Sequence, residues 1–258
     1  MMRALYTAAT GMNAQEVKMQ VTANNLANAS TTGFKKTRAE FEDLLVETLR
    51  PAQAGEGGRP IPLEVGLGVR AAGTSRTFSQ GDLIGTQNPL DVAIQGDGFL
   101  PVRQLDGTLA LSRAGNLRID ATGQLVTQQG LAIEPGLTIP NDATNVTITE
   151  AGQVRATVPG RATPVEVGTI ELAISENPGG LSAVGGNLYL PTEASGRTTM
   201  VTPGEGGAGT LLQGFVEGSN VTTVEEMIDL ITTQRAYEMN SKVIQTADQM
   251  LQKLTNLR

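Results

Sequence analysis

The chain has 258 residues, a formal charge of −7, and no Cys, His or Trp. Without Cys there is no disulfide framework and no thiolate chemistry, and without His the commonest metal ligand and neutral-pH proton carrier is absent. The acidic balance argues against nucleic acid or an anionic membrane surface as partner, and no apolar run approaches the ~20 residues of a membrane span.

Charge is spread unevenly: the first 38 residues carry Arg3, Lys18, Lys35, Lys36 and Arg38 against Glu16 alone, so the central body is strongly acidic. Met1–Thr10 holds one Arg with no continuous apolar core after it, so no cleaved signal peptide is expected. A first helix is predicted from Met1 to about Asn28, with Gly11 as its weak point. Leu5, Met12, Met19 and Leu26 stand seven residues apart, and Ala8, Ala9 and Ala23 widen that stripe. Asn24, Asn25 and Asn28 crowd the helix end, and Ser30-Thr31-Thr32-Gly33 breaks it.

Phe34–Leu49 mixes charges around Phe41, Leu44 and Leu45, a pattern that fits either a short amphipathic helix or a strand. Its basic cluster, Lys35-Lys36-x-Arg38, adjoins one aromatic and runs into acids. It is expected to be solvated or to pair with charges of another subunit rather than to hold nucleic acid. Arg50–Pro62, with Pro51, Pro60, Pro62 and three glycines, has the composition of a mobile loop. Leu63, Val65, Leu67 and Val69 then alternate, so a strand leaves this excursion and the whole reads as an extended hairpin.

From Gly73 to about Gly209 short strand-like runs recur about every ten residues, with Asp106-Gly107 and Asp120-Ala121-Thr122-Gly123 as turns between them. That spacing predicts a compact, mostly antiparallel sandwich or barrel-like domain. The last segment, Thr222–Arg258, contains no Gly or Pro, and Thr222 and Thr223 each precede an acid by three residues, a capping-box start. Val224, Met227, Ile228, Ile231, Met239, Val243, Ala247, Met250, Leu251 and Leu254 recur at helical spacing. Such a stripe needs a partner. The expected one is the N-terminal stripe, in a two-helix coiled coil; two helices folded onto a globular body are the alternative. The fold class is therefore α+β, with a helical stem built from both termini around a β domain.

Chemistry finds little footing. Gly96-Asp97-Gly98 lacks the third glycine and following helix of a phosphate loop. Glu225, Glu226 and Asp229 sit in a first helical turn, where acids cap and stabilise the dipole. Without His no Ser-His-Asp triad exists. No catalytic, metal or cofactor residue is expected, and the chain is not expected to be an enzyme.

Several motifs together resemble the bacterial flagellar rod and hook proteins. They are Ala23-Asn24-Asn25-Leu26-Ala27-Asn28 with Thr32-Gly33-Phe34-Lys35, the central Asp91–Phe99 run, Glu217-Gly218-Ser219-Asn220-Val221, Glu225–Ile228, and Gln234-Arg235-Ala236-Tyr237-Glu238-Met239-Asn240-Ser241-Lys242. The opening Met2–Met12 and closing Asp248–Leu254 resemble the family's distal-rod members; Leu100-Pro101 departs from its usual pattern. The resemblance implies three regions: an inner coiled-coil domain (1–30 with 222–258), a connecting region with the hairpin (31–72 with 210–221), and an outer β domain (73–209). It implies a structural subunit of the distal rod, a hollow helical homopolymer that carries torque from motor and proximal rod to hook. Arg50, Pro51, Pro60 and Pro62 would lie in a stretch that stiffens the rod. Implied partners are further copies of the chain, proximal rod proteins, the hook protein, the surrounding periplasmic and outer-membrane rings, the rod cap and the export apparatus. Another rod or hook subunit is the alternative within the family, and a secreted fibre or adhesin with a helical stalk the alternative outside it.

Overall fold

The structure is a computed structural model that describes residues 2–50, 62–140, 142–161 and 163–255. It is α+β and forms two compact units: Met1–Ala27, Thr37–Arg76 and Thr222–Arg258 make the first, and Asn28–Lys36 with Thr77–Val221 the second. The residues expected to form one connecting region are thus divided between the two.

The first unit holds both long helices, α1 (Met2–Ala27) and α2 (Thr223–Thr255). Helix α2 runs 33 residues because nothing in it breaks the hydrogen-bond ladder, and it starts where expected. The Thr222 carbonyl accepts the Glu226 N–H at 3.1 Å, and the Thr222 hydroxyl donates to the Glu225 carboxylate. The helices lie antiparallel, since Asn25 meets Glu226 near one end while Gly11 faces Asn240 further along.

Four strands complete this unit: β1 (Thr37–Asp43), β2 (Val46–Arg50), β3 (Leu63–Gly66) and β4 (Val69–Arg76). Strands β1 and β4 pair antiparallel from Thr37↔Arg76 to Asp43↔Val69, with a bulge at Glu40/Phe41. Strands β2 and β3 pair from Val46↔Gly66 to Arg50↔Leu63, so a hairpin does flank the proline-rich excursion. Pro51 and Pro60 lie outside the described residues; Arg50 and Pro62 sit at its two mouths. The segment around Phe41 is therefore strand, and the Leu63–Val69 alternation is two strands broken at Gly68, whose φ is +114°. A Cβ there would stand 2.2 Å from Thr10 Oγ1, so only glycine lets this ribbon approach α1.

The second unit is all antiparallel. Seven strands follow the order 182–185, 188–190, 109–112, 100–103, 132–133, 125–126, 118–119, beside three- and two-stranded sheets. Pro101, the departure from the family pattern, keeps its place in this sheet. Its neighbours Leu100 and Val102 pair with Ser112 and Ala110, and its carbonyl accepts the Glu134 N–H at 3.0 Å. A proline supplies that acceptor without needing a donor.

Burial separates the units sharply. In the second, Val92, Ile94, Leu100, Leu117, Leu125, Ile133, Val154, Ile170, Leu172 and Leu211 form one core, each at most 1 % exposed. In the first, the buried residues are Ala8, Ala14, Thr22, Asn25, Glu226, Thr233 and Ala247. Among the described residues of that unit, no Leu, Ile, Val, Met or aromatic side chain is buried.

Candidate functional site

The two terminal signatures converge on backbone and charge rather than on a reaction centre. In the first unit Asn25 is 1 % exposed at the end of α1. Its Oδ1 accepts the Thr37 N–H at 3.0 Å, and its Nδ2 donates to the Thr37 carbonyl at 2.8 Å and to Glu226 Oε2 at 3.2 Å. One side-chain amide thus satisfies both backbone groups of the first residue of β1 and ties that point to α2. Glu226, expected as a capping acid, is instead buried in the helix–helix seam.

In the second unit Asn220 acts in the same way on two other backbone segments. Its Oδ1 accepts the Lys36 N–H at 2.7 Å, and its Nδ2 donates to the Thr77 carbonyl at 2.8 Å and to Ser79 Oγ at 3.0 Å. Gly33 has φ +70°, and a Cβ there would stand 2.6 Å from the Ala114 nitrogen, so the signature glycine is a close-approach residue. Phe34 beside it is buried. Asn28 holds the intervening turn, its Oδ1 accepting the Thr31 hydroxyl at 3.1 Å.

The basic cluster departs most from expectation. Lys35 is not solvated: its side chain is 0 % exposed. Lys35 Nζ donates to Glu217 Oε1 at 2.6 Å and to the Ser79 carbonyl at 2.7 Å. Glu217, also 0 % exposed, receives Arg113 Nη1 on its other oxygen at 3.1 Å and the Gly81 N–H at 3.0 Å. Arg113 Nη2 donates to the Gly96 carbonyl at 2.9 Å, and its guanidinium lies over the Phe99 ring at 5.3 Å. Burial pushes the Lys35 ammonium below its usual pKa; the Glu217 carboxylate opposes the shift and Arg113 adds to it. A triad with two cations on one carboxylate is legible only in three dimensions. No motif singled out Arg113.

Most of the α2 residues expected to join the helices are turned away from α1. Leu5, Met12, Met19 and Leu26 are half-buried on α1. On α2 the side turned to α1 carries Glu226, Leu230, Thr233, Asn240, Ile244, Ala247 and Leu251, three, four or seven residues apart. At 3.6 residues per turn, most of the other large apolar residues fall on the opposite side. There Val224 is 69 % exposed, Ile228 56 %, Ile231 48 %, Met239 62 %, Val243 46 % and Met250 50 %. The side chain of Leu254 lies outside the described residues. Of the expected α2 stripe, Ala247 and Leu251 lie on the side turned to α1. The fully buried residues of this unit are small or polar (Ala8, Ala14, Thr22, Asn25, Glu226, Thr233 and Ala247), with Leu230, Ile244 and Leu251 half-buried on the same side of α2. Of the C-terminal signature, Arg235 and Tyr237 are exposed, while Ala236 and Asn240 are half-buried. Exposed apolar residues recur on the hairpin, at Leu45, Val46, Leu49 and Leu63.

Among the described residues no group of three or more acids is placed to hold a metal. A cavity of about 330 Å³ in the second unit is lined by hydroxyls and amides, including Thr32, Ser112, Asn116, Thr127, Gln129 and Asn187.

The chain matches the family described as "Flagella basal body rod protein" over residues 5–35. It also matches "Flagellar hook protein FlgE/F/G D1 domain" over 93–156 and "Flagellar basal body rod FlgEFG protein C-terminal" over 212–257. It is 49 % identical to flagellar basal-body rod protein FlgG of Caulobacter vibrioides, with 100 % of each chain covered. Against FlgG of Buchnera aphidicola the identity is 46 %, again over 100 % of both. Against rod protein FlgF of Salmonella typhimurium it is 35 %, over 95 % of this chain and 94 % of the other. The names are those of rod and hook proteins, and none is that of a catalyst.

Proposed function

This chain belongs to the flagellar basal-body rod protein family, and from that premise we propose that its copies stack into the distal rod as a rigid, hollow helical homopolymer. It is a structural subunit of the flagellar basal-body rod. The distal position rests on the likeness to FlgG, stronger than that to FlgF.

One observation carries the polymer. The helical unit buries no large apolar side chain among its described residues, yet exposes Val224, Ile228, Ile231, Met239, Val243 and Met250 on one side of α2. Fully covering a Leu, Ile or Met contributes roughly 1.5–3 kcal/mol, so covering this half-exposed stripe supplies the core that the unit lacks alone. The face that covers it is a different surface of another copy. Such head-to-tail contact does not close on itself and generates a helical tube. In that tube the terminal helices form the coiled-coil inner domain, and the hairpin around Arg50 and Pro62 stiffens the wall between neighbours. Torque then passes from proximal rod to hook through side-chain packing. The surrounding rings, the rod cap and the export apparatus are the remaining partners.

Electron tomography of basal bodies from cells lacking the gene tests this reading. A rod that stops short and carries no hook, restored by a complementing copy, is the expected result. A complete rod with an altered hook moves the subunit outward within the family, and normal flagella overturn the proposal.

A further inference from the structure

The Lys35–Glu217–Arg113 triad joins three separate stretches of the second unit, and the order of its members along the chain matters. Lys35 and Arg113 come first; Glu217 follows Lys35 by 182 residues. Every other group that faces the two cations is uncharged: the Ser79 and Gly96 carbonyls and the Phe99 ring. Glu217 is therefore the sole counter-charge at this point among the described residues, and its backbone carbonyl also accepts the Gly33 N–H at 2.8 Å.

We propose that Glu217 is a closure lock: the strap Thr31–Lys36 docks on the β body only when the Glu217 carboxylate is in place. Before it arrives, docking would bury two cations with no counter-charge, which costs far more than the local hydrogen bonds return. With it in place, the Gly33 N–H meets the Glu217 carbonyl, the Lys36 N–H meets Asn220, and the Thr77 N–H meets the Lys36 carbonyl at 3.0 Å. The start of the chain is thus held open until its end is present. A chain that lacks its C-terminal signature keeps its N-terminal signature undocked. This goes beyond the rod reading and does not depend on it.

Amide hydrogen exchange on the purified full-length chain tests the lock. In Glu217→Gln, the Gly33, Lys36 and Thr77 amides are expected to exchange roughly a hundredfold faster than in the native chain. Amides within the 100–112 hairpin should keep their protection. Adding Lys35→Met removes one buried cation and should restore at least about tenfold of that protection. Native protection in Glu217→Gln overturns the proposal. So does a double variant no better protected than the single one, because the loss then comes from missing hydrogen bonds and not from charge. If Glu217→Gln also loses the hairpin amides, the double variant decides alone: recovery upholds the lock and its absence refutes it.

Discussion

Asn25 and Glu226, 201 residues apart in the chain, are hydrogen-bonded at 3.2 Å inside the seam between the two terminal helices. The same amide holds both backbone groups of Thr37, so three segments of the helical unit depend on one side chain. Asn25→Ala leaves those buried groups without partners and should cost about 3 kcal/mol. Asn25→Asp should be worse, because it sets a second carboxylate against Glu226. Urea unfolding followed through the far-ultraviolet helix signal measures both, and equal stability of Asn25→Asp and the native chain contradicts this account of the seam.

The outer face of α2 separates folding from assembly. Ile231 is 48 % exposed, so Ile231→Asp should alter the stability of the isolated subunit by no more than about 0.5 kcal/mol. It should nevertheless abolish rod assembly in complemented cells. Leu26→Asp, at a half-buried position, should weaken both. Rods of normal length in the Ile231→Asp strain would show that the stripe is not an inter-subunit surface.

Two glycines are expected to behave in opposite ways on substitution by alanine. At Gly115 a Cβ would stand 1.6 Å from the Val92 carbonyl oxygen, backbone that cannot move without breaking the Val92 N–H bond to Gly115 at 2.9 Å. Gly115→Ala should cost about 3 kcal/mol or more. At Gly11 the nearest atom is the tip of the flexible Asn240 amide, at 3.0 Å. Helix propensity there favours alanine by about 1 kcal/mol, so Gly11→Ala should be neutral or mildly stabilising. Thermal melting of the two variants checks the contrast.

Lys35 predicts a pH dependence. Its pKa is lowered by burial, so over the window between its folded value and 10.5 the unfolded chain keeps a proton that the folded chain has lost. Stability contributed by this group therefore rises with pH through that window, is complete above 10.5, and is lost as pH falls through the folded value. Lys35→Met should remove the rise. Asp106 and Asp120 have the opposite chemistry and the same sign. Hydrogen bonds from Thr108 and Thr122 hold their pKa values below 3.8, so their contribution is present above 3.8 and fades as pH falls through the lowered values. Urea midpoints measured across the alkaline and acid limbs test both, and a native alkaline limb as flat as that of Lys35→Met refutes the Lys35 assignment.

What the amino-acid order determined by itself was local. A Gly- and Pro-free run after Thr222 makes α2, heptad spacing from Leu5 makes α1, and short alternating runs between turn residues make the strands, because each depends on neighbours a few positions away. The motifs around Asn25, Gly33 and Asn220 were equally visible as patterns.

Their purposes were decided only by the tertiary structure, since the partners stand far off in sequence. Asn25 serves Thr37 and Glu226, Asn220 serves Lys36 and Thr77, and Lys35 is buried on Glu217 beside an Arg113 that no pattern marked. The direction of the α2 stripe was undetermined for a related reason. Periodicity says that apolar residues share a face, but which face meets α1 depends on how closely the backbones approach at Gly11 and Ala8. The side turned to α1 fully buries only small and polar residues, with Leu230, Ile244 and Leu251 half-buried beside them, and Ile228, Ile231 and Met239 stay exposed.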